Sequence, residues 1–72
     1  MEVLKGRIYR HYKGDYYIVE DIALHTETNE KMVIYRALYG DGKLYARPYN
    51  MFVEKVNDVY RFQLQEVKSI VK

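Results

Sequence analysis

Alternating apolar and polar residues predict β-strands along most of the chain. A period of two places successive side chains on opposite faces of a sheet, which is typical of a half-buried strand. The second alternating segment loses its rhythm at Glu20-Asp21, which predicts a β-bulge or bend there. The predicted strands cover residues 6–12, 16–24, 31–39, 44–47 and 59–64.

Turn-forming residues separate these strands. Gly14 lies in a predicted turn at residues 13–15, and the polar residues 25–30 predict a loop, in which the hydroxyls of Thr26 and Thr28 cap backbone groups. Asn57-Asp58 is typical of a further turn before the last strand. Each of these segments is too short and too polar to bury a face of its own.

Pro48 ends the fourth strand, because proline has no N–H to donate to a sheet. Phe52 and Val56 follow four residues apart, so one helical or 3₁₀ turn after Pro48 would direct Phe52 inward as a plug. A short strand over residues 52–56 is the alternative. In either case this segment connects the fourth strand to the last one.

Residues 32–47 give the strongest hairpin signal in the chain. Asp41-Gly42 lies between two apolar and aromatic runs, and we predict a two-residue type I′ turn there. That turn would pair Ala37 with Ala46 and Arg36 with Arg47. The same register puts Tyr39 opposite Leu44, and Leu38 opposite Tyr45.

Five short strands with tight turns in 72 residues predict an all-β fold. We expect a small SH3-like barrel or roll with a single helical turn after Pro48, and consider an OB-like barrel less compatible with this length. One domain over residues 1–64 is predicted, followed by a tail at 65–72. Leu64, Val67 and Val71 have helical spacing, so the tail is predicted to be a short helix, with a strand extension as the alternative.

Composition excludes several classes of site. The chain has no cysteine, which excludes disulfides and thiolate metal ligands. Its only histidines, His11 and His25, lack HxH or HxxxH spacing, and Glu27, Glu30 or Asp41 could join them only through the fold. We therefore expect no metal and no cofactor, since phosphate-loop and nucleophile-elbow motifs are also absent.

Charge and hydropathy point to a soluble protein. The net charge of +2 is too small to predict nucleic-acid binding by itself. No apolar run has the length of a membrane span, and no signal peptide is visible, so we expect a cytoplasmic protein without membrane contact.

Tyrosine is unusually frequent, with nine residues against two phenylalanines and no tryptophan. Tyrosine suits a small sheet, because its ring packs while its hydroxyl reaches water. Tyrosine and arginine are also favoured anchors at binding surfaces. The excess is therefore compatible with a structural role and with an interface.

The leading candidate site contains Arg36 and Arg47 on paired strands. Two guanidinium groups could hold a phosphate or a carboxylate bidentately. The alternative is a structural network in which Asp21 or Glu54 neutralises the arginines. The set also includes the neighbouring side chains Tyr39, Asp41, Tyr45 and Tyr49.

A second candidate lies in the first strand, where Arg10 and His11 stand between tyrosines. Basic residues interleaved with aromatic ones are typical of a phosphate-binding or base-stacking surface. A solvated edge strand carries the same residues for protection against aggregation.

Two pairs of side chains are candidates for a general acid and base. Adjacent strand residues such as Glu20 and Asp21 point to opposite faces, so they form such a pair only if a bulge turns one of them. His25 with Glu27 is the other candidate pair.

Five segments in order resemble a known family. They are YRHYKG (9–14), IALHTET (22–28), VIYRALYGD (33–41), ARPYNMF (46–52) and RF (61–62). Together they resemble the small bacterial proteins catalogued as domain of unknown function 1653. The resemblance implies a compact SH3-like β-roll in a bacterial cytoplasm, and it implies no activity. Members often carry tryptophan where this chain has Tyr45, and the tail from Gln63 lies outside the pattern.

These observations favour a non-catalytic binding module whose Arg/Tyr face takes an anionic ligand, a nucleic acid or a peptide. A protein-interaction or self-assembly unit using the apolar tail is the alternative, with the chain a monomer or a weak homodimer. An enzyme acting on a small anionic metabolite is the third hypothesis.

Overall fold

The structure is a computed structural model, and it describes residues 1–66. Within that range the chain forms a five-stranded antiparallel sheet of order β4-β3-β2-β1-β7 and a separate two-stranded hairpin, β5-β6. One helical turn, α1, follows β4. The elements are β1 Ile8–His11, β2 Tyr16–Leu24, β3 Lys31–Ala37, β4 Leu44–Pro48, α1 Tyr49–Phe52, β5 Lys55–Val56, β6 Val59–Tyr60 and β7 Phe62–Leu64. The predicted all-β class is confirmed.

The predicted bulge in β2 is confirmed, and it explains the broken alternation of that strand. Val19 pairs with Tyr35, whereas Asp21 pairs with Ile34, so the register shifts by one residue between Val19 and Asp21. Because the bulge absorbs one residue, Ile22 returns to the face that Val19 occupies. The strand thus keeps its apolar residues on the core face despite two adjacent acidic residues.

The predicted register of the β3–β4 hairpin is wrong. Arg36 pairs with Leu44, and Val33 pairs with Arg47, a shift of three positions from the predicted pairing. Residues 38–43 form a longer loop, in which the Gly42 N–H donates to the Tyr39 carbonyl at 3.1 Å. The turn is therefore centred on Gly40-Asp41, and it is not a two-residue turn at Asp41-Gly42.

Two interactions with β2 explain the longer loop. The Leu38 N–H donates to the Tyr16 carbonyl at 2.9 Å, so this residue continues the pairing of β3 with β2. The hydroxyls of Tyr39 and Tyr17 are 2.9 Å apart and share a hydrogen bond. Leu38 and Tyr39 consequently extend along β2 and do not pair with β4.

The segment after β4 directs Phe52 into the core. The predicted helical turn is confirmed as α1, and Phe52 is fully buried at its end. Asn57-Asp58 forms the tight turn between β5 and β6, with φ of 52° and 67°, as a type I′ turn requires. The predicted last strand is not continuous, because it breaks at Arg61 into β6 and β7, which belong to different sheets.

The core lies on one face of the five-stranded sheet. Phe52 and Phe62 stack in parallel, with ring centroids 4.0 Å apart. The rings of Tyr9 and Tyr35 meet Phe52 edge-on at 5.5 and 5.4 Å. The buried members of this cluster are Val3, Tyr9, Val19, Val33, Tyr35, Phe52 and Phe62.

Tyrosine hydroxyls attach the N-terminal segment to this core. The Leu4 N–H donates to the Tyr9 hydroxyl at 2.9 Å, and the Val3 N–H donates to the Tyr49 hydroxyl at 3.0 Å. Each bond satisfies a backbone donor that has no strand partner. Part of the tyrosine excess is therefore structural.

The predicted conformation of the tail, residues 65–72, concerns residues that lie largely outside the described range.

Candidate functional site

The observed register places Arg36 and Arg47 on opposite faces of the sheet. Directly paired residues share a face, so Arg47 lies with Val33 on the core face. Arg36 lies on the other face, where its Nε donates to Glu20 at 3.1 Å and its Nη1 donates to the Gly42 carbonyl at 2.9 Å. The predicted opposition of the two arginines is wrong, because an odd shift in register moves one strand's side chains to the other face.

Arg47 forms the centre of a group of aromatic residues at the exposed end of the core. Its Nε donates to the Tyr35 hydroxyl at 3.1 Å, and its guanidinium carbon lies 5.7 Å from the centre of the Phe62 ring. Aromatic contact and this hydrogen bond hold the guanidinium in place. We call the surrounding surface the Arg47 patch; its members are His11, Tyr17, Tyr39, Tyr45 and Arg47.

Tyr17 connects the patch to the core. Its ring meets Tyr39 at 5.6 Å and Tyr45 at 6.4 Å on the outer side, and Tyr35 at 5.3 Å and Phe62 at 5.7 Å beneath. Partial burial and the hydrogen bond to Tyr39 raise the pKa of the Tyr17 phenol far above its ordinary value. Tyr17 is therefore neutral near pH 7 and forms a rigid, uncharged floor for the patch.

His11 borders the patch beside Phe62, with ring centroids 5.0 Å apart. Its Nδ1 accepts a hydrogen bond from the Lys13 N–H at 3.2 Å, which leaves the proton of a neutral ring on Nε2. Partial burial lowers the pKa of His11, and the positive charges of Arg47 and Arg61 lower it further. The patch thus contains a neutral imidazole next to a fixed cation.

Arg61 lies close to the patch but is already paired. Its Nη2 donates to Glu54 at 2.7 Å, and the side chain is mostly buried. Its Nε is buried without a hydrogen-bond partner among the described residues. Glu54 was a candidate for neutralising the hairpin arginines, and the structure pairs it with Arg61 instead.

The remaining predicted site residues lie elsewhere. Arg10 is exposed on the face opposite the patch, because it alternates with His11 along β1. The Tyr49 hydroxyl oxygen accepts the hydrogen bond from the Val3 N–H, and the Tyr49 ring lies under the Lys31 ammonium at 5.7 Å. Asp21 pairs with Lys5 at 3.5 Å and with neither hairpin arginine.

Sequence reasoning missed Tyr17 and Arg61 as members of this region. Tyr17 follows another tyrosine in β2, and only the strand alternation distinguishes the exposed Tyr16 from the half-buried Tyr17. Arg61 was part of the RF segment that carried the family resemblance, although no role was attached to it. The signal was present in both cases, but assigning it required the register of the sheet.

Two other features of the described chain are a loop that caps itself and an open cavity. His25 Nδ1 accepts the Glu27 N–H at 3.2 Å, and Thr28 Oγ1 accepts the Glu30 N–H at 3.2 Å, so these side chains cap their own loop. A wide, open cavity of about 430 Å³ lies at the other end of the sheet; Glu30, Lys31, Tyr49 and Asn50 line it.

Residues 1–66 contain neither a cluster of metal ligands nor a membrane-spanning helix. No group of three or more histidine and acidic side chains is close enough to hold a metal ion. In the same range, no helix has the length and hydropathy needed to cross a membrane.

Comparisons with known proteins give a family and a solved relative. The model of the family described as Protein of unknown function (DUF1653) matches residues 7–64. A crystal structure of a DUF1653 protein from Bordetella bronchiseptica is similar, with 29% identity and a TM-score of 0.74. That similarity covers 96% of this chain and 94% of the other. No curated protein matches the sequence.

Proposed function

The chain belongs to the DUF1653 family of proteins of unknown function, and from the geometry of its patch we propose that it is a non-catalytic binding module. The Arg47 patch takes an anionic group of the partner. SH3-like barrel architecture and a cytoplasmic location stay predictions alongside this proposal.

The observation that carries the proposal is the state of the Arg47 guanidinium. In the described range, the carboxylates that form ion pairs do so with Lys5, Arg36 and Arg61, and none lies within ion-pair distance of Arg47. Its Nε is held by the Tyr35 hydroxyl, while its two terminal nitrogens have no protein partner there. The Arg47 side chain is half-buried, yet its terminal nitrogens stay accessible and free to pair with an anionic ligand, which supports the proposal.

The terminal nitrogens of a guanidinium present two parallel N–H donors. Carboxylate and phosphate groups match that spacing and form short, charge-assisted pairs with it. Because Tyr35 and Phe62 already fix the Arg47 side chain, binding costs little additional conformational entropy. The site is therefore preorganised for one anionic group.

Two exposed tyrosines provide the apolar part of the patch. Tyr39 and Tyr45 are 44% and 39% exposed, although both rings contact Tyr17. Tyrosine gives a large contact area with few rotatable bonds, which is why it is frequent in binding sites. The partner would place an anion on Arg47 and an apolar or planar group on these rings.

Amide chemical-shift mapping by NMR tests the proposal. The probes are inorganic phosphate, mononucleotides, short single-stranded RNA, and capped peptides that contain glutamate, each at two salt concentrations. We expect shifts at Tyr45 and Arg47 with at least one probe, and we expect higher salt to weaken them. Absence of shifts with every probe would contradict the proposal.

Matched arginine variants assign the effect to one side chain. Arg47→Gln should reduce the affinity for the shifting probe by about tenfold or more, because a charge-assisted bidentate pair is lost. Arg10→Gln changes the net charge equally on the opposite face and should leave the affinity within about twofold. Equal losses in both variants would show a non-specific charge effect. The dispersion of each variant's amide spectrum reports whether the fold is intact.

A further inference from the structure

The outer edge of β4 is an open pairing edge beside the Arg47 patch. β4 has β3 as its neighbour on one side and no neighbour on the other within residues 1–66. The Ala37 N–H donates to the Lys43 carbonyl at 2.9 Å, which identifies Ala37 and Lys43 as a hydrogen-bonded pair. Hydrogen-bonded and non-hydrogen-bonded residue pairs alternate along two antiparallel strands. Because Lys43 belongs to a hydrogen-bonded pair, Tyr45 and Arg47 do so too, and their backbone N–H and C=O groups point toward β3. Leu44 and Ala46 direct theirs outward.

The middle of this edge carries little protection against strand pairing, whereas Lys43 and Pro48 protect its two ends. Leu44 is 51% exposed, Ala46 is exposed and small, and neither carries charge. Pro48 has no N–H and limits pairing only at the end of the strand. An edge whose outward-pairing positions are uncharged and exposed can accept another strand there.

The edge and the patch form one continuous surface. Tyr45 and Arg47 belong to β4 itself and lie on its core face. Neighbouring strands are about 4.8 Å apart, so an added strand would carry side chains directly beside both residues. An acidic side chain on that strand would reach the terminal nitrogens of Arg47.

We propose that β4 accepts an extended peptide segment of another protein as an additional strand, with an acidic side chain of that segment on Arg47. This inference rests on the proposed binding function and names its partner. An extended polypeptide supplies alternating N–H donors and C=O acceptors at the spacing of Leu44 and Ala46, whereas a nucleic-acid backbone presents mainly phosphate acceptors and does not repeat at that spacing. The charge of Arg47 selects an acidic peptide.

A capped peptide library with one central glutamate and randomised flanks provides the probe. Selected peptides should protect the Leu44 and Ala46 amides from hydrogen exchange while leaving the β3–β4 ladder unchanged. N-methylation of alternate peptide residues should weaken binding by about tenfold or more, because it removes backbone donors. Replacement of the glutamate by glutamine should weaken it similarly.

The variant Ala46→Pro tests the edge from the protein side. It removes the outward N–H of residue 46 without removing a bond to β3, and proline is tolerated on edge strands. We expect about tenfold weaker peptide binding and an intact amide spectrum. Should Ala46→Pro fail to fold, the N-methylated peptide gives the same comparison on the unmodified chain.

Each outcome separates this inference from the proposed function. If N-methylated peptides bind equally well but Arg47→Gln abolishes binding, the anion site stands and strand addition is overturned. Selection of no peptide that protects Leu44 and Ala46 also overturns it. A mass that rises with concentration, with those amides protected in the absence of peptide, would assign the edge to a second copy and overturn the proposed partner.

Discussion

Phe52 is one of the largest fully buried side chains of the small core. It is fully buried, it stacks on Phe62, and its ring meets those of Tyr9 and Tyr35 edge-on. A chain of 72 residues buries a modest core, so each large aromatic side chain contributes a substantial part of the total stability. Phe52 also supports the floor beneath Arg47, because Phe62 lies between them.

Phe52→Ala should therefore lower the free energy of unfolding by about 3–5 kcal/mol, through lost burial and the cavity left behind. Urea denaturation followed by circular dichroism measures the change. Met51→Ala is the matched control, because Met51 is exposed in the same helical turn; its effect should stay within about 0.5 kcal/mol. Similar effects of the two changes would contradict the assigned core. If Phe52→Ala does not fold, Phe52→Leu should destabilise less than Phe52→Ala, because it leaves a smaller cavity, and more than Met51→Ala.

His11 makes stability depend on pH. Partial burial lowers its pKa below the ordinary value, and the charges of Arg47, Arg61 and Lys13 lower it further, against a smaller opposite effect of Asp15. The unfolded chain therefore binds the proton more readily than the folded chain. The contribution of His11 to the free energy of unfolding is fully present above about pH 6.5. It decreases as the pH drops toward the pKa of His11 in the folded chain, and below that pKa the loss levels off.

His11→Gln should remove this component of the pH dependence. Urea denaturation at about pH 7.5 and about pH 5.5 would show a smaller loss of stability on acidification for the variant than for the natural chain. An equal loss in both chains would contradict the assignment.

Phosphate bound at Arg47 would offset the nearby positive charge, so the NMR-detected pKa of His11 should rise when phosphate is added.

At the scale of elements, the two turns with hairpin-forming sequences adopt different backbone conformations. Asn57-Asp58 adopts positive φ at both residues and closes a two-residue hairpin. In the GDG segment the positive φ falls on Gly40 and Gly42, with Asp41 between them, so the backbone forms a wider loop. A type I′ turn needs two consecutive left-handed residues, and only the first segment has them.

The Asn57-Asp58 turn is a test of backbone conformation, because Asp58 is exposed and has φ of 67°. Asp58→Val should lower the free energy of unfolding by about 1–2 kcal/mol, since a β-branched residue is strained in the left-handed region. Asp58→Gly relieves that strain and should be neutral or stabilising by about 0.5 kcal/mol. Thermal denaturation compares the two variants with the natural chain. A Val variant as stable as the Gly variant would contradict this turn assignment.

Local pattern predicted the first four strands, the bulge and the helical turn because each depends on residues close in sequence, whereas the division of the last strand into β6 and β7 was not predicted. The β3–β4 register depends on Leu38 and Tyr39, which bond to Tyr16 and Tyr17 on β2. Those contacts are distant in sequence, and no pattern within the hairpin reveals them. The shift of three positions then decides which arginine faces the patch.

The candidate site was accordingly predicted in part. Tyr39, Tyr45 and Arg47, three members of the predicted Arg/Tyr face, lie together in the structure, and His11, which was predicted in a separate site on the first strand, lies beside them. Arg36 was included because the predicted register paired it with Arg47, whereas the structure pairs it with Glu20 on the other face. The residue types suggested anion binding, but only the pairing of the strands shows which of these residues lie together in the Arg47 patch.

At the scale of the whole molecule, basic residues are dispersed over the described surface. Arg36 and Arg61 pair with Glu20 and Glu54, while Arg10 lies on the face opposite the patch. Lys31 and Lys55 lie over the rings of Tyr49 and Tyr60. Within residues 1–66, these cations are divided among separate ion pairs, rings and faces, an arrangement unlike the extended basic groove that tracks a nucleic-acid backbone.

Salt dependence of oligonucleotide binding checks this distribution. A labelled single-stranded oligothymidine should bind weakly, and log affinity should fall against log salt with a slope of about −0.7, as one phosphate contact at Arg47 requires. Fluorescence anisotropy at several salt concentrations measures that slope. Arg47→Gln should bring it close to zero, while Arg10→Gln should leave it unchanged. A slope several times steeper would show that many cations act together, and the single-anion site at Arg47 would then be wrong.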